Sequence, residues 1–347
     1  MMQSVKRSQD IDSNRIDWSD SAKGLGIILV VLGHTWDIPQ WLYCGIYAFH
    51  MPLFFMLSGL TCKFEKEDSV QTFFVKLWKA YIIPYFLLAG INLILQSLWM
   101  LYLGEFTFQI ILRYLGGILY CYANTTWMPN CSPIWFLPGI FFAKLFVFLA
   151  YRLAKGNRLR ATVIVGMLGL IALATDWLDV PRMPWNVLPA MMGSAFLWGG
   201  YCLRSDVAFM LKGWNRITIV LSVLAITLTP WIILNVPGMN ENYYDNGLLF
   251  IISGFGYSFV FIQIAIRLKH VAYTTSFLGK GSLIIMGFNY FARTFAIEFY
   301  YLIPIVKNYT IHPLIYFFMT MAVLSVILYL YNYLQSCRGR RNICEAV

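Results

Sequence analysis

Lysine and arginine fall in every second gap between the apolar runs of this chain, and that alternation fixes what it can fold into. The runs are 22–36, 44–62, 80–103, 133–151, 161–175, 187–203, 217–234, 247–266, 283–303 and 314–334. Of the 26 Lys and Arg, 21 lie in alternate gaps or, like Lys23, at the edge of one, from Lys6, Arg7, Arg15 and Lys23 at the start to Arg338, Arg340 and Arg341 at the end. The opposite gaps hold three, Arg113, Arg182 and Lys307, and two more, Lys144 and Arg293, lie inside runs. Basic residues accumulate on the cytoplasmic side of a membrane, so this pattern predicts ten spans with both termini in the cytoplasm. A missed or extra span would scramble the alternation downstream. Spanning segments must satisfy their own backbone hydrogen bonds, which makes each an α-helix. The fold class is therefore an all-α, polytopic integral-membrane bundle of about ten transmembrane helices.

Composition agrees: 59% of residues are hydrophobic and 12% charged, against about 25% charged in soluble domains. Several runs are short for a bilayer core and call for tilted, broken or shielded helices. Segments 77–83 and 106–119 read as interfacial helices. The chain divides into a hydrophilic cytoplasmic tail (1–21) with no signal-peptide core, a transmembrane domain (22–334) and a basic cytoplasmic tail (335–347). The net charge of +10 is scattered singly between apolar runs, which excludes a nucleic-acid-binding stripe. The seven cysteines show no CxxC and no metal-ligand spacing, so no metal is predicted. Cys121 and Cys131 share one extracytoplasmic loop, where a disulfide could form. The terminal Cys344-Glu-Ala-Val347 has the outline of a prenylation box, but a many-spanning chain needs no further anchor.

Two of the four histidines stand within apolar segments. Ala22-Lys-Gly-Leu-Gly-Ile-Ile-Leu-Val-Val-Leu-Gly-His34 is followed by Phe49-His50-Met51-Pro52-Leu-Phe-Phe-Met-Leu-Ser58-Gly59. Ionisable groups at membrane depth are costly and face protein cavities, which makes each a functional candidate. Eleven helical steps from Lys23 to His34 return to nearly the same face, about 16 Å further along the axis. Asp37, one turn after His34, lies on roughly the same face and could orient the imidazole in the manner of a dyad. His50 reads equally as a catalytic group or as a partner for backbone freed by Pro52. Lys144 reads as snorkelling to the cytoplasm, and His270 and His312 as solvated loop residues.

The Lys23-x10-His34 spacing and the wording of both segments resemble membrane-bound acyltransferase family 3, in particular its fucose-acetylase-like, O-antigen-type O-acetyltransferase branch. Weaker similarity continues through Lys76-Leu-Trp-Lys79, Ile83-Pro84-Tyr85 and Pro133-Ile-Trp-Phe-Leu137 to Leu278-Gly-Lys-Gly-Ser-Leu-Ile-Ile-Met286. One departure is that Gly287-Phe288-Asn289 stands where the family pattern leads one to expect a histidine. The resemblance implies a multi-pass protein of the bacterial inner membrane that transfers acetyl from cytoplasmic acetyl-CoA to a hydroxyl of a cell-surface or lipid-linked sugar. Its partners are then acyl-CoA, a glycan or lipid-linked sugar acceptor and membrane lipid.

On that reading Lys23 and the loop lysines Lys63, Lys76 and Lys79 are candidates to pair with the phosphates of CoA. His34, with His50 beside it, is the candidate general base for the attacking alcohol, or alternatively a nucleophile forming an acyl-imidazole. Asn289 and Arg293, on successive turns, are candidate donors to the bound cofactor and to developing oxyanion charge. A non-enzymatic transporter or flippase lined by His34, His50, Lys144 and Arg293 is the competing reading, although no internal repeat of the kind common in transporters is visible.

Overall fold

A computed structural model describes residues 2–124, 126–128, 131–204, 237–244, 246–268, 272–304 and 309–344, with 219–220, 223–224 and 227. Among them the structure is helical, with one isolated bridge between Gly238 and Tyr243. Helix α1, Met2–Gly33, runs through both the hydrophilic tail and the first apolar run. It stops at Gly33, three residues short of the end of that run; Asp37 takes a left-handed turn at φ 55°, and Pro39 caps the start of the next helix. The last turn closes through the His34 amide to the Val30 and Val31 carbonyls, each at 3.2 Å, and the Thr35 amide to Leu32 at 3.0 Å.

Helix α2, Gln40–Thr61, folds back antiparallel along α1. Gly26 lies against Leu53 and Phe54, and Gly33 against Ile46 and Tyr47. Helix α3, Val70–Leu77, starts at Ser69, whose Oγ accepts the Thr72 amide at 3.1 Å. The expected separate helix over 77–83 is absent. A π-helical turn, Trp78–Ile82, instead carries α3 directly into α4, Ile83–Leu103. Pro84 cannot donate a backbone hydrogen bond, and just before it Ile83 reaches back five residues to the Trp78 carbonyl. The other expected interfacial segment appears as α5, Phe108–Tyr120, buried at Gly117 and Ile118 and exposed at Leu112 and Leu119.

The order continues with α6 (Phe136–Leu153), α7 (Arg158–Trp177), α8 (Val187–Leu203), α9 (Gly247–Arg267), α10 (Ala272–Lys280), α11 (Ser282–Leu302) and α12 (Pro313–Cys344). Among the described residues, six helical stretches are long and apolar enough to cross a membrane: Gln40–Thr61, Val70–Leu103, Pro133–Leu153, Arg158–Trp177, Gly247–Arg267 and Pro313–Cys337. Helices α1, α8 and α11 stand where spans were expected but do not meet that measure. The expected span 217–234 lies for the most part outside the described residues. The helices alone therefore establish a multi-pass membrane bundle and not the count of ten.

Two close crossings set the frame. A Cβ on Gly59 would lie 1.9 Å from the Leu197 carbonyl oxygen, and one on Gly200 would lie 2.0 Å from that of Met56, so α2 and α8 meet backbone to backbone. At the α1–α10 crossing, Cβ atoms on Gly24 and Gly279 would come within 1.7 and 1.8 Å of the Thr275 and Asp20 carbonyl oxygens. Ser21 and Thr275 share a 2.5 Å hydroxyl hydrogen bond there. Such small-residue contacts are the usual means of tight helix association in lipid.

Loops at the opposite end of the bundle from this crossing form a polar lobe. Asn186, at φ 54°, donates through Nδ2 to the Cys121 carbonyl (3.3 Å) and thiol (3.0 Å), while its Oδ1 accepts from Arg182 at 2.9 Å. Asn242, at φ 56°, donates to Ala172 and Thr175 on α7, and the Tyr244 amide donates to Asp176 at 3.0 Å. Consecutive left-handed residues at Trp185 and Asn186 are costly without such partners. Cys121 and Cys131 are free, buried thiols, without the disulfide their shared loop would allow. Burial pushes both up to about 12.

Candidate active site

A cavity of about 880 Å³ lies between α1, α2, α6 and α11 and reaches the loop containing Met239–Glu241. One end holds Asp20, Lys23, Thr61 and Lys280, and the other Asn124, Asn240 and Glu241. His34 and His50 both line it between those ends.

Both imidazoles are tied in the same way. Nδ1 of His34 lies 2.8 Å from the Val30 carbonyl, and Nδ1 of His50 lies 2.8 Å from that of Ile46. A carbonyl only accepts, so each Nδ1 carries a proton, and in the neutral ring Nε2 keeps its lone pair. The sequence pairing of Asp37 with His34 fails on geometry. The helix ends at Gly33, and Asp37 is an exposed turn residue outside the cavity wall. The i−4 carbonyl supplies the orientation expected of the carboxylate.

Tyr47 stands between the histidines, its ring centroid 4.9 Å from His50 and 6.1 Å from His34, and Tyr43 packs on it at 4.3 Å. Arg293 faces the same space. Its Nε donates to the Tyr316 hydroxyl at 3.2 Å, leaving the terminal guanidinium nitrogens for another acceptor. The rings of Trp36, Tyr290 and Tyr316 surround the guanidinium at 5.8, 6.0 and 5.8 Å. Aromatic faces hold a cation in place without neutralising it.

The expected cation set divides. Lys23 lines the cavity, 3.1 Å from Asp20. Lys63, Lys76 and Lys79 do not line it; Lys76 pairs with Glu67 on the loop. Lys144 lines the cavity, over the Tyr81 ring at 5.4 Å and beside the Cys62 thiol that caps α2. Lys280, within the quoted Leu278–Met286 segment but given no role, lines it too. Asn289, one turn before Arg293, is buried and does not line the cavity, and its amide finds no partner among the described residues.

Sequence reasoning missed Tyr43, Tyr47, Tyr290 and Glu241. The first two had a readable signal, since Tyr43, Tyr47 and His50 follow helical spacing on one face of α2. Glu241 had none, because it arrives from a distant loop pinned by the Asn242 and Tyr244 contacts. Among the described residues no cluster of His, Cys, Asp or Glu could hold a metal ion.

An acyltransferase-domain family model matches residues 16–337, the stretch that contains the whole cavity wall. No curated protein and no solved structure matches the chain.

Proposed function

The chain belongs to membrane-bound acyltransferase family 3, and from that premise we propose that it is an O-acetyltransferase of the bacterial inner membrane. On this reading it moves acetyl from cytoplasmic acetyl-CoA to a hydroxyl of a cell-surface or lipid-linked sugar. The observation that carries the reading is one cavity holding two imidazoles with free Nε2 lone pairs, a caged arginine and three lysines. The lysines lie towards the end that the charge alternation makes cytoplasmic, where the phosphates of CoA would arrive. Lys23, Lys144 and Lys280 replace the loop lysines as their partners.

His34 Nε2 takes the proton from the acceptor hydroxyl as its oxygen bonds to the thioester carbonyl carbon. The carbonyl oxygen gains negative charge and meets the terminal nitrogens of Arg293. Collapse breaks the carbon–sulfur bond, and the imidazolium returns its proton to the leaving thiolate. His50 and Tyr47 line the same space and hold the reacting groups, with Glu241 and Asn240 at the acceptor end.

The test is transfer from labelled acetyl-CoA in inside-out vesicles from cells making their native surface glycan. His34 also closes α1 through its bond to Val30, so alanine alone would confuse catalysis with capping. His34→Gln retains an N–H donor for that carbonyl and lacks a basic nitrogen. Loss of transfer by about 10²–10⁴-fold in both variants is expected. Wild-type transfer by His34→Gln would remove His34 from the reaction. No consumption of any acyl-CoA by the wild type would remove the enzyme reading and favour transport.

A further inference from the structure

The register between α1 and α2 fixes how the two histidines meet. Gly26 lies against Leu53 and Phe54, and Gly33 against Ile46 and Tyr47. Antiparallel packing in that register sets Val30 about level with His50, and His34 about level with Ile46. The two α-carbons thus differ in depth by four residues, about 6 Å. Side chains lean towards the N-terminus of their own helix, so on antiparallel neighbours these two lean towards each other.

The hydrogen bonds record that convergence. His34 reaches back to the Val30 carbonyl, at the level of His50, and His50 reaches back to the Ile46 carbonyl, at the level of His34. Both rings therefore occupy one depth of the cavity, with the ring of Tyr47 packed against each. His50 is not filling the gap that Pro52 leaves. A proline withholds its amide from the carbonyl four residues earlier, which here is that of Ala48, and His50 binds Ile46 instead.

No described residue bonds Nε2 of either histidine, and both side chains line the cavity. With each Nδ1 proton committed to a carbonyl, the neutral rings present two hydrogen-bond acceptors at the same depth and no free donor. A single hydroxyl carries one proton and serves only one of them. The other imidazole, if it is that of His50, is 5% exposed and would be left facing an oxygen lone pair in a site shut off from bulk water. A buried acceptor left in that state costs free energy, which a second donor on the same ligand would recover.

We propose that His50 is a specificity determinant for the acceptor: its Nε2 accepts from the hydroxyl on the carbon next to the one being acetylated, so that the substrate is a vicinal diol. This rests on the acyltransferase reading and deepens it, because it states what the acceptor must carry beside the reacting hydroxyl. His34 removes the proton of one hydroxyl, while His50 leaves the neighbouring hydroxyl protonated and holds it. The pair thereby fixes which of two adjacent oxygens meets the thioester carbon. A hydroxyl flanked by a deoxy carbon satisfies one imidazole and leaves the other bare, which is the way a site built around polar groups rejects an analogue that lacks one.

The test uses the full chain purified in detergent, labelled acetyl-CoA and the oligosaccharide repeat of the native surface glycan. NMR first locates the transferred acetyl. Steady-state kinetics then compare that repeat with an analogue in which the adjoining hydroxyl is replaced by hydrogen, for wild type, His50→Phe and His50→Gln. Wild type is expected to favour the diol by about tenfold or more in kcat/KM. His50→Phe keeps a ring against Tyr47 but accepts nothing, and should use the two acceptors nearly alike with KM for acetyl-CoA unchanged. His50→Gln retains an acceptor oxygen and should recover part of the preference, which a purely structural role would not give. Should His50→Phe misfold, wild type alone decides: an acetyl on a carbon with no adjoining hydroxyl, or equal use of the two acceptors, overturns the proposal. Equal slowing of both acceptors by His50→Phe overturns it too, as does a raised KM for acetyl-CoA, which would give His50 to the donor. An analogue with an acetamido group in place of the adjoining hydroxyl that matches the diol would overturn the hydroxyl in favour of an amide N–H. Failure of the wild type to consume acetyl-CoA with the repeat would instead strike the acyltransferase reading.

Discussion

Replacing Gly24 by alanine adds one methyl group where the backbone of α10 already stands. The new Cβ would lie 1.7 Å from the Thr275 carbonyl oxygen, 2.6 Å from its carbon and 3.0 Å from its Cα. Non-bonded heavy atoms rest near 3.5 Å or beyond, so α1 and α10 must part by about 2 Å. No flexible side chain is available to yield, because the obstacle is main chain. The 2.5 Å bond between Ser21 and Thr275 is then stretched out of range in a buried seam. Forced separation costs roughly 1–3 kcal/mol, and the lost hydrogen bond adds about 0.5–1.5 kcal/mol. Lys23 and Lys280 stand on either side of this seam, and displacements of this order at a site cost up to about 100-fold in rate.

Gly166 provides the matched control. Nothing lies within 4 Å of its Cβ position on α7, so the same substitution there stabilises the helix by about 1 kcal/mol. Thermal midpoints by size-exclusion chromatography in detergent, with acetyl transfer in vesicles, read both effects. Gly24→Ala should melt several degrees lower and transfer at least tenfold more slowly, whereas Gly166→Ala should match or exceed wild type in both. Identical behaviour of the two variants would refute the backbone contact between α1 and α10.

Three further outcomes follow from the geometry. Tyr316→Phe removes the bond to Arg293 Nε, a charge-assisted contact worth about 1.5–3 kcal/mol, so kcat should fall about tenfold with KM for acetyl-CoA unchanged; steady-state kinetics with both values intact would deny Arg293 its part. Cys121 and Cys131, buried and pushed up to about 12, should resist maleimide at neutral pH while exposed Cys337 reacts, as peptide mass spectrometry would show. Burial alone would raise the Glu65 carboxyl, but its own backbone amide, Arg204 Nη1 at 2.8 Å and the Tyr201 hydroxyl at 3.1 Å hold it below the ordinary carboxylate value. Its stabilisation is therefore present above about pH 4.3 and lost as pH falls through the folded value. Glu65 is 40% exposed, so Glu65→Gln should cost at most about 1 kcal/mol at pH 7, a deficit that vanishes in acid when melting is compared across pH.

The sequence exposed the two histidines because charge-poor segments make rare ionisable groups conspicuous. Lys23 and Arg293 were legible for the same reason. Asp37 was misplaced because the helical period was carried past residue 33, where the helix ends, and Asp37 turns left-handed. Lys63, Lys76 and Lys79 share a cytoplasmic-type loop with the acidic residues among them, and proximity in sequence did not tell Lys76 paired with Glu67 from a lysine facing a ligand. That Lys144 turns into the cavity beside Cys62 and Tyr81 depends on how α2 and α6 pack, which no local pattern encodes. Glu241 reaches the cavity only through loop contacts made between residues far apart in the chain, such as Asn242 with Ala172.

Helix α1 also acts on the site through its own backbone. Its peptide dipoles sum to about half a negative charge at the end formed by Val30 to Gly33, and His34 is the first residue beyond that end. A base that takes up a proton there becomes a cation facing the negative pole of a long helix. The field is fixed before any substrate binds and needs no reorganisation when the proton moves. Cutting α1 short, or inserting a residue between Val30 and His34, would leave the imidazole in the chain but turn it out of that field.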